Sequence, residues 1–239
     1  MKLDILAFAA HPDDIELSCA GTLLAHIQLG KKVGIVDLTR GELGTRGTPE
    51  IRLQESEAAT KVLGIHAREN LGMADGFFVN DKAHQLKVIA AIRKYQPEIV
   101  LMNAISDRHP DHGRGSTLVS ESCFLAGLKQ IETVSETGEK QTAWRPKNVY
   151  HYIQDRLHNP DLVVDISAYW EKKVESIKAF RSQFFDPNSA EPNTYISSPE
   201  FLKFLEARSR EMGHLVGVEF GEGFTKERHV GVKNLFDLL

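Results

Sequence analysis

The chain has 239 residues and a formal net charge of −4; 41% of its residues are hydrophobic and 26% are charged. This is the composition of a water-soluble globular protein with a sizeable core. The charge gives no support for a nucleic-acid surface, and no run reaches the ~20 apolar residues that span a membrane. With two cysteines and no signal-peptide pattern, the sequence predicts a cytoplasmic protein without a disulfide framework.

Short apolar runs alternate along the chain with segments of helical periodicity. Such alternation predicts right-handed βαβ units and an α/β fold with a mainly parallel sheet flanked by helices. No linker is apparent, so we expect one domain over residues 1–239, with a core over about 1–130 and covering elements over about 131–239. The predicted strands are 3–9, 32–38, 67–71, 99–103, 149–153 and 162–164, and the predicted helices are 15–29, 49–63, one ending before Pro97, 116–128, one around 170–177 and one around 201–205.

Two related motifs each follow a predicted strand. Residues 11–14 read His-Pro-Asp-Asp and residues 109–112 read His-Pro-Asp-His. In parallel sheets, ligands bind outside the carboxyl ends of the strands, where both motifs are expected to lie. A catalytic zinc ion commonly takes two histidines and one carboxylate and keeps one coordination position open. His11, Asp14 and His112 supply that set, so the sequence predicts a metal hydrolase.

The remaining motif residues suit acid–base chemistry around such a metal. Asp13 neighbours a predicted ligand and is placed to act as the general base toward a water that the metal activates. His109 could stabilise an oxyanion or protonate a leaving amine, with Asp111 fixing its tautomer. Aspartates at helix starts are more often simple caps. A single motif would favour that structural interpretation, but two copies at two strand ends favour a site.

The two motifs resemble the signatures of a known family. Residues 10–16 (Ala-His-Pro-Asp-Asp-Ile-Glu) and 109–112 are similar to the two signatures of the LmbE-like (PIG-L) zinc N-deacetylases. The segments 39–42 and 52–58 resemble that family's glycine-rich loop and following helix. The stretches 41–48 and 206–213 look closest to the bacillithiol-pathway branch, which acts on N-acetylglucosaminyl malate.

The resemblance implies a Rossmann-like, LmbE-like fold and a cytoplasmic deacetylase in which His11, Asp14 and His112 bind one zinc ion. Iron(II), cobalt or nickel would also suit such a nitrogen and oxygen set. It implies that Asp13 is the base, that His109 stabilises the intermediate with Asp111 behind it, and that the chain is a homo-oligomer, a trimer or a hexamer. It predicts no nucleic-acid or membrane partner. The predicted substrate-binding residues are Arg52, Glu42, which would accept a sugar hydroxyl, Arg108, which would bind a carboxylate, and Tyr195, in a proline-rich loop over residues 186–199.

Two alternatives stay open at this stage. The same chemistry could act on another N-acetylglucosamine conjugate, such as an inositol glycoside or a chitooligosaccharide. The chain could instead be a non-catalytic nucleotide-binding module on a Rossmann-like sheet. That module would carry Gly-x-Gly-x-x-Gly between the first strand and helix, where this chain has His-Pro-Asp-Asp, and two carboxylates there would repel a pyrophosphate.

Overall fold

The computed structural model describes residues 1–184 and 189–238. The elements are β1 Ile5–Ala9, α1 Asp14–Ser18, α2 Ala20–Gln28, β2 Val33–Thr39, α3 Pro49–Leu63, β3 Ala67–Met73, α4 Lys82–Tyr95, β4 Ile99–Met102, α5 Pro110–Leu125, β5 Asn148–Tyr152, β6 Leu162–Asp165, α6 Trp170–Lys178, α7 Pro199–Val216 and β7 Gly221–Lys226.

The strands form a seven-stranded sheet in the order β3-β2-β1-β4-β5-β7-β6. Strands β1 to β5 are parallel, and β7 runs antiparallel to both of its neighbours. The mainly parallel α/β sheet expected from the sequence is confirmed.

Strand order reverses direction at the centre of the sheet. From β1 the chain moves outward to β2 and β3 and then returns to place β4 on the other side of β1. This is a topological switch point, where the loops after two adjacent strands diverge and leave a crevice at their carboxyl ends. Both His-Pro-Asp motifs follow these two strands, so the topology brings together residues about 100 positions apart in the sequence.

Two apolar layers pack against the faces of the sheet. One contains Phe8, Val36 and Ile92, all fully buried together with residues of α4 and α5. The other contains Ile15 and Leu23 of the first two helices, packed on the opposite face. Within the described ranges, no helix combines the length and apolar character needed to cross a membrane.

Local chain chemistry explains most element boundaries and two departures from expectation. Helix α3 begins as predicted: Thr48 caps it by accepting a hydrogen bond from the Ile51 N–H, and Pro49 occupies its first turn. The single helix expected over 15–29 is instead divided at Cys19, whose φ of −140° and ψ of 15° lie outside the helical region. The break leaves α1 as a five-residue helix that presents Asp14 at its start.

Strand β7 was not expected because two of its first three residues are glycine. Those glycines are required by close packing: a Cβ on Gly221 would lie 2.6 Å from the Val163 side chain and 2.9 Å from the Gly213 nitrogen. The loop expected over 186–199 has no helix or strand in its described part, 189–198, and helix α7 begins at Pro199. Residues 186–188 of that prediction lie outside the described residues.

A buried ion pair joins helix α6 to strand β7. Lys173 Nζ lies 2.6 Å from Glu222 Oε1, and both side chains are 2% exposed. The same carboxylate accepts hydrogen bonds from the backbone N–H groups of Gly21 and Thr22 at the start of α2. The pair therefore links three elements on one face of the sheet.

We expect Lys173→Met to lower the free energy of unfolding by about 3–5 kcal/mol, because it leaves the Glu222 carboxylate buried without its cation. Urea denaturation followed by circular dichroism measures this loss. Lys172→Met is the matched control, since Lys172 is the exposed neighbour on the same helix. Equal unfolding free energies for the two variants would contradict the expected role of the pair.

Candidate active site

Three predicted ligands converge at the switch point. His11 follows β1, Asp14 is the first residue of α1, and His112 lies in the first turn of α5. His11 Nδ1 is 3.8 Å from Asp14 Oδ2, and His112 Nε2 is 3.1 Å from Asp14 Oδ1. All three residues are at most 8% exposed. The Asp14 carboxylate therefore lies between two imidazole nitrogens.

Hydrogen bonds from neighbouring amides hold the Asp14 carboxylate in this position. Its Oδ2 accepts from the backbone N–H of His11 and from the Asn103 side chain, both at 3.0 Å. Its Oδ1 accepts from the Gln154 amide at 3.1 Å. Asn103 and Gln154 follow β4 and β5, so three adjacent strands of the sheet fix one carboxylate. Nothing in the sequence indicated that these two amides belong to the site, except that both lie at the carboxyl ends of predicted strands.

Each histidine of the cluster also contacts carboxylates through its other nitrogen. His11 Nε2 lies 2.9 Å from Asp75 Oδ1 and 3.4 Å from Asp111 Oδ2. His112 Nδ1 lies 2.5 Å from Asp107 Oδ2. Carboxylates in these positions fix the tautomer and ring orientation of metal-binding histidines. Sequence reasoning missed Asp75, which is 64 residues from His11, and Asp107, whose position five residues before His112 was a usable signal.

The electrostatics of the cluster fit a cation. Burial alone would lower the pKa of His11, but hydrogen bonds to Asp111 and Asp75 and the charge of Asp14 raise it to about 10. The pKa of His112 is raised to about 9, since the charge of Asp14 and hydrogen bonds to carboxylates outweigh the effect of burial. The carboxylates therefore stabilise positive charge at this point. A divalent cation supplies that charge while leaving the imidazoles neutral, as ligation requires.

A second set of nitrogens also falls within reach of one ion. His11, His109 and His112 offer ring nitrogens that lie within 4.8 Å of one another. The His109 ring is 4.6 Å from the His11 ring and 5.2 Å from the His112 ring, measured between centroids. Burial and the two neighbouring histidines lower the pKa of His109. His109 is thus the least basic of the three imidazoles, and it is less buried than the other two.

Asp13 occupies an unusual backbone conformation beside the cluster. Its φ of 115° lies in the left-handed region, which aspartate and asparagine enter more readily than most residues. Its carboxylate accepts a hydrogen bond from Arg52 at 3.1 Å, and the residue is 5% exposed. Burial raises the pKa of Asp13 to about 7, against the opposing effect of Arg52. A basic carboxylate thus lies at the edge of the cavity, next to Asp14.

The predicted pairing of Asp111 with His109 takes a different form in the structure. The Asp111 carboxylate accepts from the Gly76 N–H at 2.7 Å, pairs with Arg114 at 2.7 Å, and faces His11. The direct hydrogen bond to His109 comes from the Asp111 backbone N–H, which donates to His109 Nδ1 at 3.2 Å. The reason is the helix start: His109 caps α5 with its own ring, which leaves the Asp111 side chain to turn toward the segment after β3.

A cavity of about 300 Å³ opens over the cluster. Of the four predicted substrate-binding residues, Arg108, Tyr195 and Arg52 line it. The Arg108 guanidinium lies 4.7 Å from the centre of the Tyr195 ring, and it pairs with Asp155 at 3.3 Å. Arg108 and Tyr195 are both about half exposed, at 49% and 50%. They form a polar rim that a ligand can reach.

Arg52 and Glu42 differ from the predicted picture. Arg52 is 5% exposed and donates to the carbonyls of Pro12 and Gly41 as well as to Asp13. Gly41, at φ 66°, leaves room for this guanidinium, since a Cβ there would lie 2.0 Å from Arg52 Nη1. The Glu42 carboxylate accepts from the backbone N–H of Asp75 at 2.9 Å, so it organises the loop rather than line the cavity.

Arg46 is a residue whose role the sequence did not reveal. Only 4% exposed, its guanidinium donates to the carbonyls of Ser182 and Pro192 and to the hydroxyl of Ser189. Its own carbonyl accepts from Gln183. Arg46 therefore joins the glycine-rich loop to the segment that leads to Tyr195, and these two segments both line the cavity.

We expect Asp107→Asn to weaken divalent metal binding about 10- to 100-fold, the usual effect of removing an orienting carboxylate. One oxygen of the Asp107 carboxylate accepts from His112, and the other accepts from the Arg156 N–H. An asparagine side chain has only one oxygen, so it cannot make both contacts in this way. Competition with a chelating dye measures the affinity. Asp81→Asn is the control, because Asp81 makes the same contact with His84 on the exposed surface. Equal affinities for the two variants would argue against this role.

The arrangement is that of a metal-dependent deacetylase, and comparison with known proteins supports this class. The profile of the PIG-L family, described as GlcNAc-PI de-N-acetylase, matches residues 6–123, which include both motifs. The chain belongs to the PIG-L family.

Several named proteins are similar over most of their length. Diacetylchitobiose deacetylase of Thermococcus kodakarensis is 27% identical over 75% of this chain and 70% of its own. A probable N-acetyl-α-D-glucosaminyl L-malate deacetylase 2 of Bacillus anthracis is 26% identical over 75% and 81%. The 4-oxalmesaconate hydratase of Pseudomonas putida is 25% identical over 74% and 73%. The solved structure of the conserved protein TT1542 from Thermus thermophilus has a TM-score of 0.85 and 33% identity, covering 98% of both chains.

Proposed function

We propose that the chain removes the N-acetyl group from an N-acetylglucosaminyl conjugate, with N-acetylglucosaminyl malate as the preferred substrate. The observation that carries the proposal is the arrangement of His11, Asp14 and His112 around one point on the cavity wall, with the carboxylate of Asp13 beside it. Two relatives named as deacetylases of glucosamine derivatives support the same reaction.

In this proposal His11, Asp14 and His112 hold a zinc ion, or another divalent ion that accepts nitrogen and oxygen ligands. When bound, such an ion polarises a carbonyl and lowers the pKa of water. Asp75, Asp111 and Asp107 keep the two imidazoles oriented through their outer nitrogens.

Asp13 accepts the proton of the attacking water as general base. Its left-handed backbone and its bond to Arg52 hold the carboxylate at the cavity edge, so its position is fixed before substrate arrives. His109 also lines the cavity, and its protonated form, which the lowered pKa makes a strong proton donor, gives a proton to the amine as the carbon–nitrogen bond breaks. Arg52 contributes by holding Asp13 rather than by contacting the sugar.

The rim of the cavity supports an acidic aglycone. Arg108 is half exposed, lines the cavity and stacks on Tyr195, so its guanidinium can bind a carboxylate of malate. A chitooligosaccharide or an inositol glycoside would place neutral hydroxyl groups at the same rim. The chitooligosaccharide would match the relative from T. kodakarensis.

The test is a substrate panel with purified, zinc-loaded protein. Free N-acetylglucosamine, diacetylchitobiose, the inosityl conjugate and the malyl conjugate are compared by acetate release. The proposal expects the highest kcat/KM for the malyl conjugate, and expects Arg108→Gln to raise its KM without changing that of diacetylchitobiose. A higher kcat/KM for diacetylchitobiose would overturn the malate assignment. Absence of acetate from all four, with hydration of 4-oxalmesaconate, would overturn deacetylation.

The remaining proposals concern the cellular location and the oligomeric state of the enzyme. We infer a cytoplasmic location, which the two cysteines support: both Cys19 and Cys123 are free and buried. The homo-oligomer, a trimer or a hexamer, rests on family resemblance, and light scattering of the purified protein measures it.

A further inference from the structure

A buried histidine, His151, lies on strand β5 outside the set of residues that lines the main cavity. It is 4% exposed. Its Nδ1 is 2.8 Å from the Ser116 hydroxyl and 3.1 Å from the backbone carbonyl oxygen of Asn103. Its Nε2 is 3.1 Å from Glu227 Oε1. The ring therefore has polar partners at both nitrogens, although the proposed mechanism does not use it.

The contact with Asn103 connects His151 to the predicted metal ligands. Asn103 is fully buried, and its side chain joins three groups of the site. Its Nδ2 donates to Asp14 Oδ2 and to Gln154 Oε1, both at 3.0 Å, and its Oδ1 accepts from the Ala10 N–H at 2.9 Å. Ala10 immediately precedes the first motif. A displacement of Asn103 would therefore disturb both the backbone of that motif and the carboxylate of Asp14.

The carbonyl of Asn103 depends on the His151 ring because the residue lies beyond the end of its strand. The pairing of β4 with β5 ends at Met102, which lies opposite His151. A buried carbonyl needs a hydrogen-bond donor, and His151 Nδ1 lies within reach of this one. A carbonyl and a carboxylate only accept, so a proton on Nδ1 satisfies Asn103 and a proton on Nε2 satisfies Glu227.

The contact with Ser116 connects His151 to the helix that carries another predicted ligand. Ser116 is 2% exposed and lies four residues after His112 on α5, so the two side chains share one face of that helix. His151 thus contacts both the residue that supports Asp14 and the helix that presents His112. The position of its ring bears on the separation of these two ligands.

Glu227 holds the ring from the outer side. It follows β7, and its side chain is 38% exposed. The hydrogen bond from His151 lowers the pKa of Glu227, and a hydrogen bond from Ser120 acts in the same direction. An ionised carboxylate at Nε2 restrains rotation of the imidazole. A continuous line of contacts therefore runs from the surface to the metal site, in the order Glu227, His151, Asn103 and Asp14.

We propose that His151 is a positioning residue, which holds the Asn103 carbonyl and thereby the amide that orients the Asp14 carboxylate toward the metal ion. The inference rests on the proposed function, which makes Asp14 a metal ligand. In this role neither His151 nor Glu227 contacts the substrate. Loss of His151 therefore weakens metal binding and leaves recognition of the conjugate unchanged.

The first experiment compares the zinc affinity of His151→Leu with that of wild type, by competition with a chelating dye. We expect the affinity to fall about 10-fold, the lower end of the effect of removing a group that orients a ligand, because His151 acts through Asn103. His66→Leu is the matched control: the His66 ring also contacts a backbone group, the Val33 N–H at 3.2 Å, and lies outside the lining of the main cavity. Equal affinities for the two variants would overturn the role.

Two polar variants separate the two sides of the ring, and they serve if the leucine variant does not fold. In His151→Asn the amide takes the place of Nδ1, which faces Asn103; in His151→Gln it takes the place of Nε2, which faces Glu227. We expect the asparagine variant to stay within about threefold of wild-type zinc affinity and the glutamine variant to lose about 10-fold. Equal affinities or the reverse order would contradict the proposal. A purely structural histidine would lower the free energy of unfolding of both variants and leave zinc affinity unchanged.

Turnover gives an independent readout. The zinc concentration for half-maximal acetate release should rise in His151→Gln by the same factor as the dissociation constant for zinc. At saturating zinc, the KM for the conjugate should stay within about twofold of wild type, since substrate binding is untouched. A raised KM with an unchanged zinc requirement would overturn the positioning role. Wild-type protein that binds zinc and releases no acetate from any conjugate would refute the proposed function alone, and the dye titration would still decide the role of His151.

Discussion

Asp13→Asn is expected to lower kcat by about 10²- to 10⁴-fold while one divalent ion per chain stays bound, the range that removal of a general base produces. The asparagine keeps the size of the side chain and tolerates the φ of 115° at this position. It cannot accept a proton at neutral pH. Acetate release and elemental analysis of the purified variant give the two readouts together.

The choice of asparagine separates the lost base from a disturbed backbone. Alanine at the same position would remove the carboxylate and also strain the left-handed conformation. The melting temperature of the asparagine variant therefore serves as the control for folding. If turnover stays within about threefold of wild type, well short of the usual contribution of a general base, another group takes the proton and the role given to Asp13 is wrong.

His112→Ala is expected to abolish metal binding and to lower turnover strongly. The imidazole is flanked by Asp14 at 3.1 Å and Asp107 at 2.5 Å, so its loss removes a ligand and leaves two carboxylates facing each other across a gap. A metal ion supplies several kcal/mol of transition-state stabilisation, so turnover falls by about three orders of magnitude. Metal content after dialysis is the direct measurement.

His84→Ala is the matched control, since His84 pairs with Asp81 on the exposed start of α4. That variant should keep its metal and its activity. Treatment of wild type with a chelator should reproduce the loss seen in His112→Ala, and zinc should restore the activity of wild type only. A His112→Ala protein with full metal content would show that the ligand set is different.

Much of this site could be predicted from the sequence because its residues are adjacent within two short motifs. A proline after each histidine favours an extended residue and then a helix start, so strand end, ligand and helix follow one another in a fixed local order. The βαβ alternation then implied that both motifs lie at the same edge of the sheet. Local chemistry and topology agreed, and the convergence of His11, Asp14 and His112 followed.

The other site residues depend on contacts that local sequence does not encode. Asp75 follows β3 and meets His11 only because β2 and β3 form the part of the sheet on that side of β1. Arg46 is buried because it reaches acceptors such as the Ser182 carbonyl, 136 residues later. Glu42 was expected to contact the substrate, yet a backbone N–H of the Asp75 loop occupies its carboxylate. In each case a partner distant in sequence decided the role.

The position of the ligands at the switch point links metal affinity to global stability. His11 and His112 are about 100 positions apart in the sequence, and they become neighbours only in the folded sheet, where β1 and β4 are adjacent. The unfolded chain therefore offers no comparable chelate, and an ion that binds only the native state adds about 2.7 kcal/mol of stability at a hundred times its dissociation constant. The supply of such an ion would thus affect how long the folded protein persists as well as how fast it works.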